Sequence, residues 1–569
     1  MLKDNILIAR GEKPADLLLK NASYVNVFTG EIERQDIAIA NGKIVGFGDY
    51  QAKESIDIAG QIVTPGLIDA HIHIESSQLV PTEFAKLVIA QGTTAIVADP
   101  HEIANVCGMT GVKFMIDSLK NTLLNFKMML PSCVPATPFE TNGATLSGVD
   151  CARELQKEYI AGLAEFMNIP ALLMADEDAC KKLQGAIDVQ KIIDGHAPAL
   201  KGKDLNAYLV AGVRTDHECT TANEAMEKVA KGMYILMREG SATKDVAELC
   251  KAITQYTRSR FLFCTDDKHA EDIERIGHIN HAMRVAIEAG LSPIDAVICA
   301  TINAAICYGF YNKGAIAVGY DADLAVFDSL QNMQCTMTLI GGKVVAKDGK
   351  ATVAFKGVDD KQLLTSMRMH KVTESTFNLP CETKKARVIE VFARTLLTEE
   401  KIVSIEPNRT DIVLPKGVLK IAVLERHKKT GNIAVALLSG ICLKNGAIAQ
   451  TIAHDSHNCV VLGDNNRDMA LAVNSLHEVG GGIAIVHDGK VHILPLEVGG
   501  IMTAVSASQY IEKMKEMVQL SKDLGVQADI DVFMTLSFMA LPVIPKLKMT
   551  DKGLFDVTKF AYTTVSVQE

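Results

Sequence analysis

The chain has 569 residues, of which 48% are hydrophobic and 22% charged, and this ordinary globular composition excludes a fibrous or disordered protein. At about 150 residues per domain, two to four domains are expected. The net charge of −10 lacks the basic surplus of a general nucleic-acid binder, so we expect a small soluble substrate and no nucleic acid as partner.

No apolar run approaches the roughly 18 residues that span a bilayer, so no membrane association is predicted. The opening stretch MLKDNILIARGEKPADLLLK is interrupted by charges and does not have the pattern of a secretion signal. The 13 cysteines are scattered, odd in number and free of CxxC pairs. Neither a zinc ribbon nor a disulfide framework is therefore expected, and the predicted location is the cytoplasm.

The first elements in chain order are short alternating strands, with a hairpin signal at Asn41-Gly42. They predict a small β-unit over residues 1–62. From there on, short apolar runs alternate with amphipathic stretches, which predicts parallel strands with crossover helices. The strand-like runs are GLIDAHIH and those at 93–99, 125–132, 160–168, 191–196, 212–218, 233–241 and 261–267. Eight such runs in about 250 residues predict a (β/α)8 TIM barrel over residues 63–312.

The β pattern returns after the barrel in GAIAVGYDADLAVFDS and MTLIGGKVVAKDGK. Residues 313–385 are therefore predicted to return to a small β-sandwich built from both flanks of the barrel and to end in a polar connector. Residues 386–569 alternate strands and helices again, which predicts an additional C-terminal α+β domain. The expected fold class is accordingly α/β.

Residues that can bind metals follow most of the predicted barrel strands. His71 and His73 lie two apart, so on a strand they share one face, about 7 Å apart at the backbone. The other strand ends carry Asp99 and His101, Glu165, His196, His217, and the pair Asp266 and Asp267. In a (β/α)8 barrel these ends converge on one mouth, where active sites lie. Imidazoles and carboxylates without thiolates favour Zn, Fe or Mn.

This pattern of HxH, Glu, His, His and Asp resembles the amidohydrolase superfamily of metal-dependent hydrolases and, within it, the adenine deaminases. The motifs that carry the resemblance span essentially the whole chain: GLIDAHIHIESS, VADPHEIANV, CVPATPFETNGA, LAEFMN, DGHAP, TDHECT, MREGSA, CTDDKHA and IAHDSHN. The resemblance implies hydrolytic deamination of adenine to hypoxanthine and ammonia by a metal-activated hydroxide, as part of purine salvage. It also implies a homo-oligomer.

The resemblance implies two divalent metal ions, with Mn or Fe more favoured than Zn. His71 and His73 would bind the first ion with Asp266, Glu165 would bridge, and His196 and His217 would hold the second. Asp266 is preferred over its neighbour Asp267 because the ligand in the superfamily is the first acid after the eighth strand. Asp266 would also take a proton from the attacking water. Glu218 is the candidate acid that protonates the purine ring, with a role in orienting a ligand imidazole as the alternative.

Further residues are candidates for substrate binding or for support of the ligands. They are Asp99, His101, Glu102, Arg214, Arg238, Ser241, Asp267, His454 and His457. For His454 and His457 the alternatives are the active-site entrance, an accessory metal site, or a polar turn after a strand.

A cyclic amidohydrolase of the dihydroorotase or hydantoinase kind is the alternative function. Two departures oppose it: the stretch after HxH is Ile74-Glu75-Ser76-Ser77 and lacks the Arg that holds a substrate carboxylate, and the fourth strand offers Glu165 where many binuclear members have a carboxylated lysine. A third possibility is a metabolite-binding protein without catalysis, which the intact set of ligands opposes.

Overall fold

The computed structural model describes residues 2–568. The chain divides into two compact units. The first comprises the residues up to Pro100 together with Met115–Ser132 and Ser147–Val358, and the second comprises His101–Phe114, Cys133–Leu146 and the residues from Asp359 onward. Among residues 2–568, no helix is both long and apolar enough to cross a membrane.

A closed ring of parallel strands forms the centre of the first unit. Its eight strands are Leu67–Ile72, Thr93–Ala98, Asn125–Leu130, Gly162–Phe166, Ile192–Gly195, Thr215–Asp216, Tyr234–Arg238 and Phe261–Cys264. They form parallel sheets of five and three strands. The backbone N–H of Arg214 donates to Ile193 O, and a parallel bridge joins Ile72 to Asp266, so the ring closes at both gaps. The predicted α/β barrel is confirmed.

Helices follow the barrel strands along the chain. The α-helices of this part are Pro81–Ile89, Gly148–Glu154, Ile169–Leu173, Glu177–Asp188, Gly202–Val210, Ala222–Ala230, Val246–Leu249, Ala270–Ile276, Ile279–Glu288, Pro293–Ala300 and Ile302–Tyr308. Short 3-10 helices are Ile74–Ser77, Cys250–Ala252 and Arg258–Arg260. The barrel strands are almost wholly buried, as parallel strands covered by crossover helices must be, and all six residues of Thr93–Ala98 are buried.

Two sheets flank the barrel in sequence; the first contains only strands that precede it, and the second combines strands from both flanks. One has the order Lys43–Phe47, Ile37–Ala40, Ala15–Lys20, Ala52–Asp57. The other has the order Lys350–Ala351, Lys343–Lys347, Cys335–Ile340, Leu324–Phe327, Ile62–Pro65, Ser23–Asn26, Glu31–Arg34. Leu19, Ile39, Val63 and Leu339 belong to one apolar core that both sheets share. A helix, Leu2–Ala9, precedes the first strand.

The second unit is built on an eight-stranded sheet. Its order is Thr398–Ser404, Lys385–Val391, Ile433–Ser439, Val418–Leu424, Cys459–Gly463, Gly446–Gln450, Gly482–His487, Lys490–Pro495. The α-helices Asn466–Val479, Ala507–Asp523 and Val532–Met539, the 3-10 helix Glu374–Phe377 and a small sheet of Leu547–Thr550, Gly553–Asp556 and Ala561–Thr563 complete it. Helix Asn466–Val479 begins where the Asn465 side chain accepts from the Asp468 N–H and ends at Gly480, whose φ of 88° suits glycine.

The two segments 101–114 and 133–146 belong to the second unit, which differs from the expectation that residues 63–312 are all barrel. Hydrogen bonds tie these segments into that unit: Thr141 N–H donates to Asp551, and the Asn458 amide donates to Thr141 O. Such pairings across more than 300 residues leave no periodic signal in the sequence. The helix His101–Lys120 has a non-helical residue at Gly108, with a φ of 59°.

Candidate active site

Six side chains meet at the carboxyl ends of the barrel strands. His71 lies on the first strand and His73 just after it, and Glu165 lies on the fourth. The others follow the fifth, sixth and eighth strands: His196, His217 and Asp266. All are buried except His196, which is half-buried. We call these six residues the Glu165 cluster.

The carboxylate of Glu165 lies between two pairs of histidines. Its Oε1 is 3.3 Å from Nε2 of His73 and 3.9 Å from Nε2 of His71. Its Oε2 is 2.8 Å from Nδ1 of His196 and 3.2 Å from Nε2 of His217. One oxygen thus faces each pair, which is the arrangement that a carboxylate bridging two cations requires.

The ring nitrogens of the first pair are oriented towards the cluster. Nδ1 of His73 lies 2.9 Å from the carbonyl oxygen of Asp99, and a carbonyl can only accept, so this nitrogen carries the proton. In the neutral imidazole, which is the form that binds a metal, the Nε2 lone pair of His73 therefore points into the cluster, as in metal-binding histidines whose other nitrogen donates to a carbonyl. Nε2 of His71 is buried without a hydrogen-bond partner among residues 2–568.

The structure separates the two adjacent acids after the eighth strand. Asp266 Oδ1 lies 3.0 Å from Nε2 of His73 and 3.6 Å from Nε2 of His71. The backbone of Asp266 is left-handed, with a φ of 56°, a conformation that aspartate adopts more readily than most residues. Asp267 accepts a hydrogen bond from the hydroxyl of Ser76 instead. Of the two, Asp266 is the one that faces the imidazoles.

Arg238 joins the two carboxylates that sequence reasoning assigned to proton transfer. Its guanidinium is 4% exposed and donates from Nη1 to Asp266 Oδ2, at 2.9 Å, and to Glu218. Nη2 lies 3.3 Å from Asp245. Glu218 Oε1 also lies 3.7 Å from Nε2 of His217. Arg238 thus supports the cluster by fixing the positions of Asp266 and Glu218.

The charges around the cluster set its protonation. Burial alone would raise the pKa of Asp266, but the imidazoles of His71 and His73 and the charge of Arg238 hold it well below its usual range. Burial would lower the pKa of His217, but the carboxylate of Glu165 raises it to about 9. Asp266 therefore presents an ionised carboxylate to any cation placed among the imidazoles.

Sequence reasoning missed a group of buried residues that support the strands carrying the ligands. Asp69 accepts from the backbone N–H of His71 at 3.2 Å and from the backbone N–H of Thr265 at 3.1 Å, so it links the first and eighth strands. Lys228 forms a fully buried ion pair with Asp216, at 2.8 Å, directly before His217. Asp216 and Lys228 lie 12 residues apart, and only the barrel fold brings them together.

The remaining candidates of the barrel fall in different places. Asp99 contributes its carbonyl to His73. The hydroxyl of Ser241 donates to Asp272, at 2.7 Å, and contacts no member of the Glu165 cluster. Arg214 precedes its strand, and its exposed side chain donates to the carbonyls of Leu209 and Val213. Arg214 thus lies at the amino end of the sixth strand, whereas the Glu165 cluster lies at the carboxyl ends, so its position gives no support to a role in substrate binding.

A second cluster lies within the second unit and comprises Glu102, His454 and His457. Nδ1 of His454 is 2.5 Å from Glu102 Oε1, and Nε2 of His457 contacts Glu102 Oε2. His101 is nearby, with Nε2 3.4 Å from Glu102 Oε1. All four residues are buried. We call Glu102, His454 and His457 the Glu102 cluster. Glu102 lies more than 350 residues before the two histidines in the sequence.

A (β/α)8 barrel whose strand ends gather imidazoles and carboxylates is typical of metal-dependent amidohydrolases. Residues 62–345 match the amidohydrolase family, and residues 395–561 match the adenine deaminase C-terminal domain. Adenine deaminase 2 of Carboxydothermus hydrogenoformans is 44% identical over 569 residues, covering 100% of both chains. Adenine deaminase of Nitratidesulfovibrio vulgaris is 44% identical, covering 100% of this chain and 99% of that one.

The chain therefore belongs to the adenine deaminase family of amidohydrolases. Among solved structures, a β-aspartyl dipeptidase from Fervidobacterium islandicum covers 59% of this chain and 98% of its own, at 18% identity and a TM-score of 0.46.

Proposed function

We propose that the protein hydrolyses adenine to hypoxanthine and ammonia, in purine salvage. Full-length relatives named adenine deaminases support this substrate. The observation that carries the proposal is the position of Glu165, which presents one carboxylate oxygen to His71 and His73 and the other to His196 and His217.

The donor set suits two divalent cations. It offers imidazole nitrogens and carboxylate oxygens without thiolate. The hydrogen bond from Nδ1 of His73 to the carbonyl of Asp99 leaves Nε2 with a lone pair for a cation. His71 and His73 would hold one ion with Asp266, His196 and His217 would hold the other, and Glu165 would bridge. We propose Mn or Fe rather than Zn as the productive pair. Such cations make water acidic enough to provide hydroxide at neutral pH.

Two carboxylates of the chain would handle the protons. Deamination requires that water add at C6, that N1 of the ring be protonated and that ammonia depart. Asp266 would accept the proton of the attacking water, and Glu218 would donate a proton to N1. Arg238 contacts both carboxylates and would keep them oriented while their protons move.

The test is an assay of adenine turnover, by ammonia release, after reconstitution with Mn(II), Fe(II) or Zn(II). Dihydroorotate and hydantoin serve as control substrates for the cyclic amidohydrolases. We expect turnover of adenine and none of the controls. No arginine follows His73 to hold the carboxylate of dihydroorotate, and the fourth strand carries Glu165 where many binuclear amidohydrolases have a carboxylated lysine. Hydrolysis of the controls without deamination of adenine would refute the proposal.

The cellular setting is also a proposal. The 13 cysteines are scattered along the sequence and form no CxxC pair, which supports a reducing compartment such as the cytoplasm. The expected homo-oligomer stays a prediction.

A further inference from the structure

A cavity of about 470 Å³ lies within the second unit. Cys107 and Thr110 of the segment 101–114 line it, together with Ser366, Arg368 and His427. Ligand sites for small organic molecules commonly have volumes of about 300–1,000 Å³. The cavity thus has the size of a small-molecule site, and none of the proposed catalytic residues lines it.

Ser366 gives the first indication of a ligand. The residue is 9% exposed, and its hydroxyl has no hydrogen-bond partner among residues 2–568. Buried hydroxyls in folded proteins nearly always have a partner, because leaving one unpaired costs free energy. A hydroxyl in the wall of a cavity can find that partner in a molecule bound there.

Two guanidinium groups near the cavity have no carboxylate partner. Arg368 donates from Nε to Thr365 O, at 3.3 Å, and forms no ion pair within the described chain. Arg426 is fully buried, and its Nη1 and Nη2 donate to the carbonyls of Ser366, at 3.4 Å, and Gly499, at 3.0 Å. Carbonyls satisfy the donors of a guanidinium without neutralising its charge.

The carboxylate of Glu425, next to Arg426 in sequence, offsets part of the Arg426 charge, but its hydrogen bonds go to backbone groups. Glu425 accepts from the backbone N–H groups of Lys428, at 2.6 Å, and Thr430, at 2.8 Å. His427 also lies in this positive region. Its burial and the charge of Arg426 hold the pKa of His427 well below the usual range. A buried hydroxyl without a hydrogen-bond partner and the guanidinium of Arg368 without a carboxylate partner, both at one cavity, favour an anionic ligand.

We propose that this cavity binds a phosphate monoester of the size of a nucleoside monophosphate. A guanidinium matches the geometry of phosphate oxygens, and its hydrogen bonds to them are charge-assisted. Arg368 would contact the phosphate from the solvent side, Ser366 would donate its hydroxyl to a phosphate oxygen, and Arg426 would add positive charge from behind the wall. The remaining volume would accommodate the nucleoside.

The test is equilibrium dialysis of full-length, metal-loaded protein in a buffer free of phosphate. The probes are adenosine monophosphate, inosine monophosphate, inorganic phosphate and, as the neutral control, adenosine. We expect saturable binding of the monophosphates and none of adenosine. Tighter binding of the monophosphates than of phosphate indicates that the nucleoside contributes, and equal binding indicates that the cavity recognises the phosphate group alone. Absence of saturable binding of every phosphate probe would overturn the proposal.

Variants locate the binding. Ser366→Ala removes a hydroxyl that makes no hydrogen bond, so the fold should tolerate it, and Arg368→Gln removes an exposed charge. Each should weaken monophosphate binding about tenfold or more. Arg467→Gln is the matched control, because Arg467 is also an exposed arginine of this unit without an ion pair in the described chain. Binding that both variants leave unchanged, or that adenine displaces, would place the anion elsewhere and refute the proposal.

Discussion

His73 of the Glu165 cluster and His457 of the Glu102 cluster differ in what faces the second ring nitrogen. Nδ1 of His73 faces the carbonyl oxygen of Asp99, at 2.9 Å, whereas Nδ1 of His457 accepts from the backbone N–H of Ala453, at 3.2 Å. A neutral imidazole has one N–H group. His73 therefore presents a lone pair at Nε2, and His457 presents a proton there.

The carboxylates follow the same division. In the Glu165 cluster each oxygen faces two imidazole nitrogens, at 2.8 to 3.9 Å, which leaves room for cations between them. In the Glu102 cluster His454 and His457 each contact one carboxylate oxygen directly, and the nearby His101 lies 3.4 Å from the oxygen that His454 contacts. The active-site entrance, an accessory metal site and a polar turn stay the alternatives for His454 and His457, and the direct contact of His457 Nε2 with Glu102 opposes the metal site. Residue type alone does not make a metal site. The backbone group that faces Nδ1 of a histidine determines whether its Nε2 carries a lone pair or a proton.

The largest effect is expected from Glu165→Gln. A carboxamide offers one oxygen and one N–H₂ group and cannot bridge two cations. Metal affinity should fall by more than about 100-fold, because mutating a residue that only supports a metal ligand already lowers affinity about 10- to 100-fold. Adenine turnover should be lost. Metal analysis and the ammonia assay measure both, and Glu102→Gln is the control that should retain two ions. A Glu165→Gln enzyme that keeps two ions and full activity would show that Glu165 does not bridge the cations.

Glu218→Gln should leave the metal content unchanged and lower kcat. A positioned general acid contributes about 10²- to 10⁴-fold, and the amide cannot supply its proton. The measurement is steady-state kinetics on enzyme whose metal content has been determined. Unchanged kcat would show that another group protonates N1.

Arg238→Gln should have a smaller effect, because Arg238 acts through Asp266 and Glu218. We expect kcat to fall about 10- to 100-fold while KM changes little. Arg238→Lys keeps the charge but loses the planar fork that reaches several carboxylates, so it should recover only part of the rate. Thermal unfolding of both variants checks for folding defects. A change confined to KM would instead indicate that Arg238 contacts the substrate.

Glu102→Gln should affect stability more than metal binding. Removing the carboxylate leaves the proton of His457 Nε2 with a weaker acceptor, at a cost of about 1–3 kcal/mol in the free energy of unfolding. Denaturant unfolding measures this loss, and metal analysis should still give two ions per chain. Loss of a bound ion would show that the Glu102 cluster holds a metal after all.

Much of the barrel could be predicted from sequence because its signals are local. Each strand is a short buried run, and its ligand follows within a few residues, so convergence of the strand ends brought His71, Glu165, His196, His217 and Asp266 together. The same reasoning did not place Arg214 at the amino end of its strand. The sixth strand is only Thr215–Asp216, and its apolar run did not reveal where the strand starts.

Contacts between distant segments could not be predicted. Glu102 and His454 are 352 residues apart, and neither segment carries a pattern that specifies the other. Arg238 was a candidate for substrate binding or for support of the ligands, but which carboxylates it contacts depends on side-chain directions in the closed ring. Assignment of segments 101–114 and 133–146 to the second unit likewise rests on tertiary hydrogen bonds.

The most direct test of the central claim is adenine turnover by metal-free protein titrated with Mn(II). If the Glu165 cluster holds a bridged pair of cations, activity should rise until two equivalents per chain are bound and then stay constant. Full activity at one equivalent, or no turnover at any amount of Mn(II), Fe(II) or Zn(II), would contradict the account.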